Sequence, residues 1–431
     1  MNPYIPHSEK DIKEMLEEIG VSDISELFSD IPEKYRNPKI NLPPPVEESE
    51  LWSFFEELSE KNVRLKKLKG FLGGGIYYHY IPSVVHHIIG RGEFYTAYTP
   101  YQPEASQGTL QAIFEYQSIV CELFNMDVAN ASMYDGSTAL AEACLMAMRL
   151  TGRDKIVISR AVHPEYREVV KTYVGEERVV ELPFDSRSGM TVLSKVNDVA
   201  CLVFQNPNFF GVIEDLEEMR KFCDETGAKM VVCVTEPLSL GILAPPGDFG
   251  CDIAVGEGQS LCLPPSFSGP HLGLFACKKE YIRQMPGRLV GETTDLEGKK
   301  GYVLTLSTRE QHIRREKATS NICTNSGLNA IAFAVALSWF GAEGLRRLAL
   351  INLSKAHYFY ELLIKSKVAE SVFTGGFFNE FVVRLRKVPE GFSSGIRLDR
   401  WYEEMENCVL FAVTELNTKE EMHEFVEEMK K

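Results

Sequence analysis

Hydrophobic residues recur along this chain at two different spacings, and the change from one to the other predicts where helices and strands lie. The first stripe has the three- and four-residue intervals of a helix and consists of Ile12, Met15, Leu16 and Ile19. Ser8, with Asp11 three positions later, can cap the start of this helix, and Gly20 can end it. The chain therefore opens with a predicted, capped helix.

The next segment favours a short helix and then an extended arm. The helical spacing returns from Ile24 to Ile31 and stops at Pro32. The segment NPKINLPPPVEE, from Asn37 to Glu48, contains three consecutive prolines, which cannot join a helix. We expect residues 1–60 to form an N-terminal helical extension with a proline-rich arm.

Strand and helix patterns alternate in the middle of the chain. A helical stripe covers residues 109–124, and an Ala-rich helix follows Gly136-Ser137-Thr138. Compact runs rich in β-branched residues lie at 155–159, 178–182, 200–204, 229–234 and 252–255. Such alternation predicts an α/β fold with a mostly parallel sheet that is covered on both faces. We assign residues 61–325 to this large domain.

The pattern changes again after residue 325. An apolar helix is predicted from Asn329 to Phe340, followed by a second helix through Tyr360. Strands are predicted at 378–385 and 407–415, and the closing helix places Met422, Phe425, Val426 and Met429 on one face. Residues 326–431 are therefore expected to form a smaller C-terminal α+β domain.

Composition narrows the class of protein. Of 431 residues, 44% are hydrophobic and 25% are charged, so the chain can bury a large core and is not disordered. Its net charge of −15 argues against a nucleic-acid binder or a protein of anionic membrane surfaces. The longest apolar run, residues 330–340, is too short to span a bilayer, and the N-terminus lacks the apolar core of a secretory signal.

The ten cysteines include no CxxC pair, which indicates free thiols in a reducing cytoplasm. The adjacent His86 and His87 cannot share one helical face, and no metal site is predicted. Gly73-Gly74-Gly75 lacks the spacing of a dinucleotide fingerprint.

Three segments carry candidate chemistry, each with a plainer alternative. Tyr95, Tyr98 and Tyr101 lie in a proline-shaped loop, FYTAYTPYQPE, which suits either a small-molecule pocket or simple packing. Gly136-Ser137-Thr138 opens a helix, where backbone N–H groups can bind phosphate, or where Asp135 or Ser137 can serve as the cap. Arg314 and Arg315 can hold a carboxylate or belong to a solvated turn.

Together these segments resemble one enzyme family. The stretches YTPYQPEASQGTLQ, NASMYDGSTALAEA, DIAVGEGQSLCLPPSFSGPH, MPGRLVG and TREQHIRREKATSNICT are similar, in this order, to the P-protein of the glycine cleavage system. The resemblance implies a fold-type I pyridoxal-phosphate enzyme, with a mostly parallel seven-stranded sheet and a smaller C-terminal domain. The matches are to the N-terminal half of the family's long form, which implies the α subunit of the two-chain form.

One departure from the family's catalytic half is informative. That half carries a His-Lys pair after an apolar strand, and the lysine holds the cofactor as a Schiff base. Here Gln259 and Ser260 stand at that position, and a serine hydroxyl cannot form a Schiff base. Glu236 stands near the place of the acid that pairs with the pyridine nitrogen, and His163 resembles the residue that stacks on the ring. We expect that this chain has lost its own cofactor site.

The resemblance then implies the partners. Pyridoxal phosphate is expected on a lysine-bearing β subunit in a heterotetramer, and the substrates are glycine and the lipoyl arm of H-protein. We expect Tyr95, Tyr98 and Tyr101 to reach the partner's active site, with Arg314 and Arg315 as further anion contacts. Two alternatives stay open: a purely structural stabiliser of the β subunit, and an autonomous enzyme that uses Lys278, Lys279 or Lys317.

Overall fold

The computed structural model describes residues 4, 6–62, 70–266, 269–389, 392 and 394–431. The chain divides into two compact units, Met1–Val63 and Arg64–Lys431. The proposed boundary between a large and a small domain at residue 325 stays a prediction. All ten cysteines are free, and eight of them are buried.

In the described residues of the first unit, the α-helices are α1 (Glu9–Ile19) and α2 (Glu48–Glu60), and 3-10 turns lie at Ile24–Phe28 and Glu33–Tyr35. The predicted cap of α1 is present: Ser8 and Asp11 form a reciprocal capping box, and Gly20 ends the helix at φ 84°. The second hydrophobic stripe, from Ile24 to Ile31, was expected to form a helix, but it contains a 3-10 turn at Ile24–Phe28. Helix α2 was not predicted from the sequence.

The second unit is built on a seven-stranded sheet of order β1-β7-β6-β5-β4-β2-β3. The pairs β3–β2, β2–β4, β4–β5 and β5–β6 are parallel, and β7 is antiparallel to both of its neighbours. The strands are β1 (Val128–Ala129), β2 (Lys155–Ser159), β3 (Val179–Leu182), β4 (Val199–Gln205), β5 (Lys229–Val234), β6 (Ile253–Glu257) and β7 (Gly273–Cys277). The mostly parallel seven-stranded sheet is therefore confirmed.

Helices cover both faces of this sheet, as the continuous apolar strands predict. Successive strand residues such as Ile156 and Val157 point to opposite faces and enter two separate cores. The helices that precede these strands or alternate with them are α3 (Ser83–Ile89), α4 (Gly92–Tyr95), α5 (Gln107–Phe124), α6 (Gly136–Thr151), α7 (Pro164–Val174) and α8 (Leu216–Thr226). Helix α5 packs in one core, and α6 and α7 pack in the other.

The C-terminal part adds two smaller sheets. A hairpin joins β8 (Leu289–Thr294) to β9 (Lys300–Thr305), and the short helix α9 (Gln311–Arg314) follows it. An antiparallel sheet of order β10-β11-β13-β12 packs with the closing helix α11 (Lys419–Met429). Its strands are β10 (Ala369–Ser371), β11 (Glu380–Leu385), β12 (Ile396–Arg397) and β13 (Cys408–Ala412).

Helix α10 (Gly327–Lys365) is broken at Gly341, where φ is 59° and ψ is 177°. This break separates the two helices that the sequence predicted. By length and composition alone, α10 could cross a membrane. However, 44% of its most apolar window is buried inside the protein, and Ala332, Phe333 and Ala336 belong to a core of the second unit. Part of its apolar surface is therefore packed within the second unit.

Candidate functional site

The carboxyl ends of four parallel strands bring polar side chains to one edge of the main sheet, where α/β proteins bind ligands. Gln205 ends β4, and its side-chain oxygen accepts from the backbone N–H of His163 at 2.8 Å. Its side-chain nitrogen donates to Thr235, which follows β5, at 3.1 Å. The segment after β6 carries Gln259 and Ser260, so the predicted cofactor positions do lie together.

Ser260 is fully buried, and its hydroxyl donates to Oε1 of Glu236 at 3.5 Å. The carboxylate of Glu236 is already engaged elsewhere. It accepts from Nε2 of His79 at 2.9 Å and from the backbone N–H of Leu238 at 3.1 Å. Glu236, the acid expected near the pyridine nitrogen, is therefore paired with a side chain of its own chain.

His79 is fully enclosed between two carboxylates. Its Nδ1 lies 2.8 Å from Oε2 of Glu415, and its Nε2 bonds to Glu236. Burial by itself lowers the pKa of His79, but the charges and hydrogen bonds of Glu236 and Glu415 outweigh it and raise this pKa to about 10. Conversely, His79 outweighs the effect of burial on Glu415 and lowers the pKa of that carboxyl to about 2. His79 is therefore a buried imidazolium at neutral pH.

The amino end of helix α6 is satisfied by internal carboxylates. Asp135 caps the helix by accepting from the backbone N–H of Thr138 at 2.7 Å, as the capping alternative predicted. The buried carboxylate of Glu257 accepts from the N–H of Gly136 at 3.0 Å. A phosphate here would have to displace one carboxylate and lie against another, which like-charge repulsion opposes.

The position that resembles the ring-stacking residue is packed. Nε2 of His163 donates to the carbonyl of Gly74 at 2.8 Å, and Nδ1 accepts from the N–H of Glu165. The rings of Tyr166 and Phe209 lie 4.9 and 4.7 Å from the imidazole. Burial lowers the pKa of His163, which agrees with a neutral ring.

These residues do not fit pyridoxal phosphate. A phosphate group at the amino end of α6 would meet the carboxylates of Glu257 and Asp135, and Glu236, the acid expected for the pyridine nitrogen, is bonded to His79. The residue expected at the Schiff-base position is Ser260, which carries no amine. Within the described residues, no group of three or more His, Cys, Asp or Glu side chains is placed to hold a metal ion.

A second polar region lies around the predicted tyrosine loop. Tyr95 ends α4, and Tyr95, Tyr98 and Tyr101 are 69%, 72% and 46% exposed. A cavity of ≈ 300 Å³ lies beside them, and its lining includes Tyr98, Pro100, Asn325 and Ser326. Large aromatic side chains at this exposure are typical of a binding surface.

Hydrogen bonds join this cavity to the segment between β1 and α6 and to the residue before β8. The side chain of Asn325 donates to Ser132 Oγ at 2.7 Å and to the carbonyl of Ala131 at 3.2 Å. The N–H of Ala131 donates to the carbonyl of Arg288 at 2.8 Å. Residues of YTPYQPEASQGTLQ, NASMYDGSTALAEA and MPGRLVG, which all carry the family resemblance, therefore meet here.

The remaining candidates lie apart from the cofactor positions. Arg314 and Arg315 are exposed near α9, and Nε of Arg314 donates to the carbonyl of Thr308. Lys279 and Lys317 are also exposed. Lys278 pairs with Asp252 at 3.1 Å, at the amino end of β6, whereas Ser260 follows the carboxyl end of that strand.

Sequence reasoning missed His79, Glu257 and Arg288. His79 stands in the run IYYHY, and its partners Glu236 and Glu415 lie 157 and 336 residues away. Arg288 stands in MPGRLVG, a segment that carries no signal beyond its match to the family. The one available signal was a charged residue inside an otherwise apolar run, as at Glu257 after IAVG.

Comparisons with known proteins decide the family. The model of the glycine cleavage system P-protein family matches residues 2–429. The chain belongs to the glycine cleavage system P-protein family. Relatives named probable glycine dehydrogenase (decarboxylating) subunit 1 come from Anoxybacillus flavithermus and Moorella thermoacetica. They are 50% and 49% identical to this chain, over 100% and 99% of it and 99% of each relative.

Solved structures agree. A crystallised glycine decarboxylase (P-protein) of the glycine cleavage system, in inhibitor-bound form, has 45% identity and a TM-score of 0.92. The match covers 99% of this chain and 98% of that one. A sphingosine-1-phosphate lyase from Burkholderia pseudomallei shares the fold at a TM-score of 0.66, with 13% identity over 92% of this chain and 93% of the lyase. The P-protein family resemblance and the fold-type I class are therefore confirmed, and the chain corresponds to subunit 1.

Proposed function

We propose that this P-protein chain is a cofactor-free α subunit that completes the active site of a lysine-bearing β subunit. The assembled enzyme decarboxylates glycine and transfers the aminomethyl group to the lipoyl arm of H-protein, in the cytoplasm. Pyridoxal phosphate is held by the β subunit and acts there as the electron sink. This chain contributes side chains and surface, and by itself it is inactive.

The observation that carries the proposal is the exposed tyrosine loop beside a cavity. Tyr95, Tyr98 and Tyr101 keep about half or more of their surface exposed, although the neighbouring helix α5 is well packed. Phenol groups on a shaped loop can donate hydrogen bonds to a carboxylate or line a path for an acyl arm. Meanwhile, the side chains of Gln205, Glu236 and Glu257 at the sheet edge are hydrogen-bonded within the chain, whereas Oε1 of the buried Gln259 has no partner among the described residues.

The autonomous alternative finds weaker support. Lys278 is engaged with Asp252 at the opposite end of β6 from Ser260, and Lys279 and Lys317 lie on the surface. The test is borohydride reduction of the purified chain with added pyridoxal phosphate, followed by peptide mapping. We expect no stoichiometric label on any lysine, and a labelled lysine would contradict the cofactor-free proposal.

Mutation of the tyrosine loop in the assembled two-chain enzyme distinguishes the proposed role from that of a purely structural stabiliser of the β subunit. We expect Tyr98→Phe and Tyr101→Phe each to lower kcat/KM for glycine by about tenfold to a hundredfold, the value of a hydrogen bond to a charged group. Tyr95→Phe tests the third hydroxyl in the same way. The control is Tyr173→Phe on helix α7, where a similarly exposed phenol, 43% accessible, lies outside the loop. Unchanged turnover in all three loop variants would favour a pure scaffold.

Assembly itself is tested by assaying this chain and the lysine-bearing chain alone and together. We expect glycine decarboxylation only when both are present and co-purify. Activity of this chain alone would overturn the proposal.

A further inference from the structure

Arg288 is the largest side chain that is fully buried in the described part of the protein. It lies immediately before strand β8, and only 2% of its surface is exposed. Burying a guanidinium carries a large desolvation penalty unless hydrogen bonds and an opposite charge compensate. The contacts of Arg288 therefore show which groups compensate this desolvation penalty.

Most of these contacts are to the tyrosine loop. One terminal nitrogen of Arg288 donates to the hydroxyl oxygen of Tyr101 at 2.6 Å, and the other donates to Oγ1 of Thr99 at 3.4 Å. The guanidinium carbon also lies 5.0 Å from the centre of the Tyr101 ring. Because the Tyr101 oxygen accepts from Arg288, the phenol keeps its own proton for donation to another group.

A buried carboxylate completes the cluster. Oε2 of Glu310 lies 3.3 Å from Nε of Arg288 and 3.6 Å from Nδ1 of His312. The His312 ring, in turn, lies edge-on to Tyr101 at 6.1 Å. Nε of Arg288 and Oε1 of Glu310 have no hydrogen-bond partner among the described residues. Arg288 and Glu310 are therefore held together by their opposite charges. The side-chain hydrogen bonds of Arg288 go instead to Thr99 and Tyr101 of the tyrosine loop.

We propose that Arg288 is a positioning residue that holds Tyr101 as an outward-facing hydrogen-bond donor for a carboxylate oxygen in the assembled enzyme. This inference rests on the proposed function, because it needs the loop to serve glycine turnover. Arg288 acts only through Tyr101, since its own guanidinium is enclosed. Glu310 holds the guanidinium in place from the opposite side.

The test is a double-mutant cycle in the assembled two-chain enzyme, with Arg288→Lys and Tyr101→Phe alone and combined. Lysine keeps the charge but loses the planar fork that contacts Tyr101 and Thr99 together. We expect Arg288→Lys to lower kcat/KM for glycine by about tenfold when Tyr101 is present, because a displaced donor loses its geometry. With Tyr101→Phe already in place, we expect Arg288→Lys to change kcat/KM by less than about twofold, because the two residues act as a unit.

Arg309→Lys is the matched control. Arg309 is also buried, but its guanidinium donates to the backbone carbonyls of Leu306, Met285 and Gly287 instead of the tyrosine loop. Its effect on turnover is expected to be the same with and without Tyr101→Phe. If Arg288→Lys does not assemble, Arg288→Met combined with Glu310→Gln removes both buried charges and enters the same cycle.

The outcomes separate the two proposals. Suppose that Tyr101→Phe lowers turnover, but Arg288→Lys has no effect or has the same effect with and without Tyr101→Phe. The positioning role of Arg288 is then overturned, and the function of the loop stands. If Tyr98→Phe and Tyr101→Phe both leave turnover unchanged, the function of the loop fails and the positioning role fails with it.

Discussion

At the scale of single residues, His79 is a buried side chain whose pKa is raised far above its usual value. It stands in an aromatic run and yet lies as a cation between Glu236 and Glu415. Removing one member of a buried ion pair leaves the others uncompensated, at a cost of about 3–5 kcal/mol. We therefore expect His79→Gln to lower the free energy of unfolding at pH 6 by about 3 kcal/mol, as measured by urea denaturation.

The pH dependence of this difference follows from the pKa shift. The pKa of His79 is raised from 6.5 to about 10 in the folded chain, so its stabilising effect is complete below pH 6.5 and is lost as the pH rises through about 10. The gap between wild type and His79→Gln should narrow over that range. His87→Gln, an exposed histidine of α3, is the control and should show no gap. A gap that stays constant to pH 10 would mean that His79 is not charged.

Ser260 could be assigned from the sequence to the expected Schiff-base position because it follows a strand whose pattern is clear, and this assignment stays a prediction. The contacts of the residues around it could not be predicted. His79 and Glu257 meet their partners only through the tertiary fold, because Glu236 lies 157 positions after His79 and Glu257 lies 121 positions after Gly136. Spacing along the chain carries no information about such pairs, since it records only local periodicity.

At the scale of elements, strands β2 and β5 were predicted with their observed bounds, because each is a compact run of mostly apolar residues rich in β-branched side chains that begins at a lysine. The hairpin β8–β9 and the antiparallel strand β7 were missed. Strand β8 has a buried start and an exposed end, so it shows neither the alternation nor the apolar run that indicates a strand. The structure of such segments depends on what packs against them.

The break in helix α10 gives a prediction at this scale. Gly341 adopts φ 59° and ψ 177°, a region that side chains with a Cβ avoid at a cost of about 1–3 kcal/mol. No atom lies within 4 Å of a Cβ added there, so Gly341→Ala should destabilise the chain through backbone strain alone. We expect the midpoint of thermal unfolding to fall.

Gly344→Ala, three residues later, is the matched control. Gly344 lies in the same helix, and an added Cβ would contact Phe340 at 3.4 Å, an ordinary packing distance. Alanine favours the helix by about 0.8–1 kcal/mol relative to glycine, so this variant should keep or raise the midpoint. Equal effects of the two substitutions would argue against a backbone break at Gly341.

At the scale of the whole molecule, the chain has the fold-type I architecture, and the residues at its expected cofactor positions bond to groups of the same chain. A buried polar group without a partner is costly. Here, Glu257 satisfies the end of α6, His79 satisfies Glu236, and the Gly74 carbonyl satisfies His163. These polar groups are thereby engaged within the chain itself.

These internal contacts predict that Ser260→Lys does not restore cofactor binding. The introduced ammonium would lie beside Glu236, which stands 3.5 Å from the present hydroxyl, and this charge favours the protonated amine that cannot attack an aldehyde. The phosphate end would still meet Glu257. Titration with pyridoxal phosphate, followed by visible absorption and borohydride reduction, should give no stoichiometric Schiff base at position 260. The control is Ser118→Lys, an exposed serine on α5, which should give the same background labelling. Stoichiometric labelling confined to position 260 would mean that the lysine alone separates this subunit from a working cofactor site.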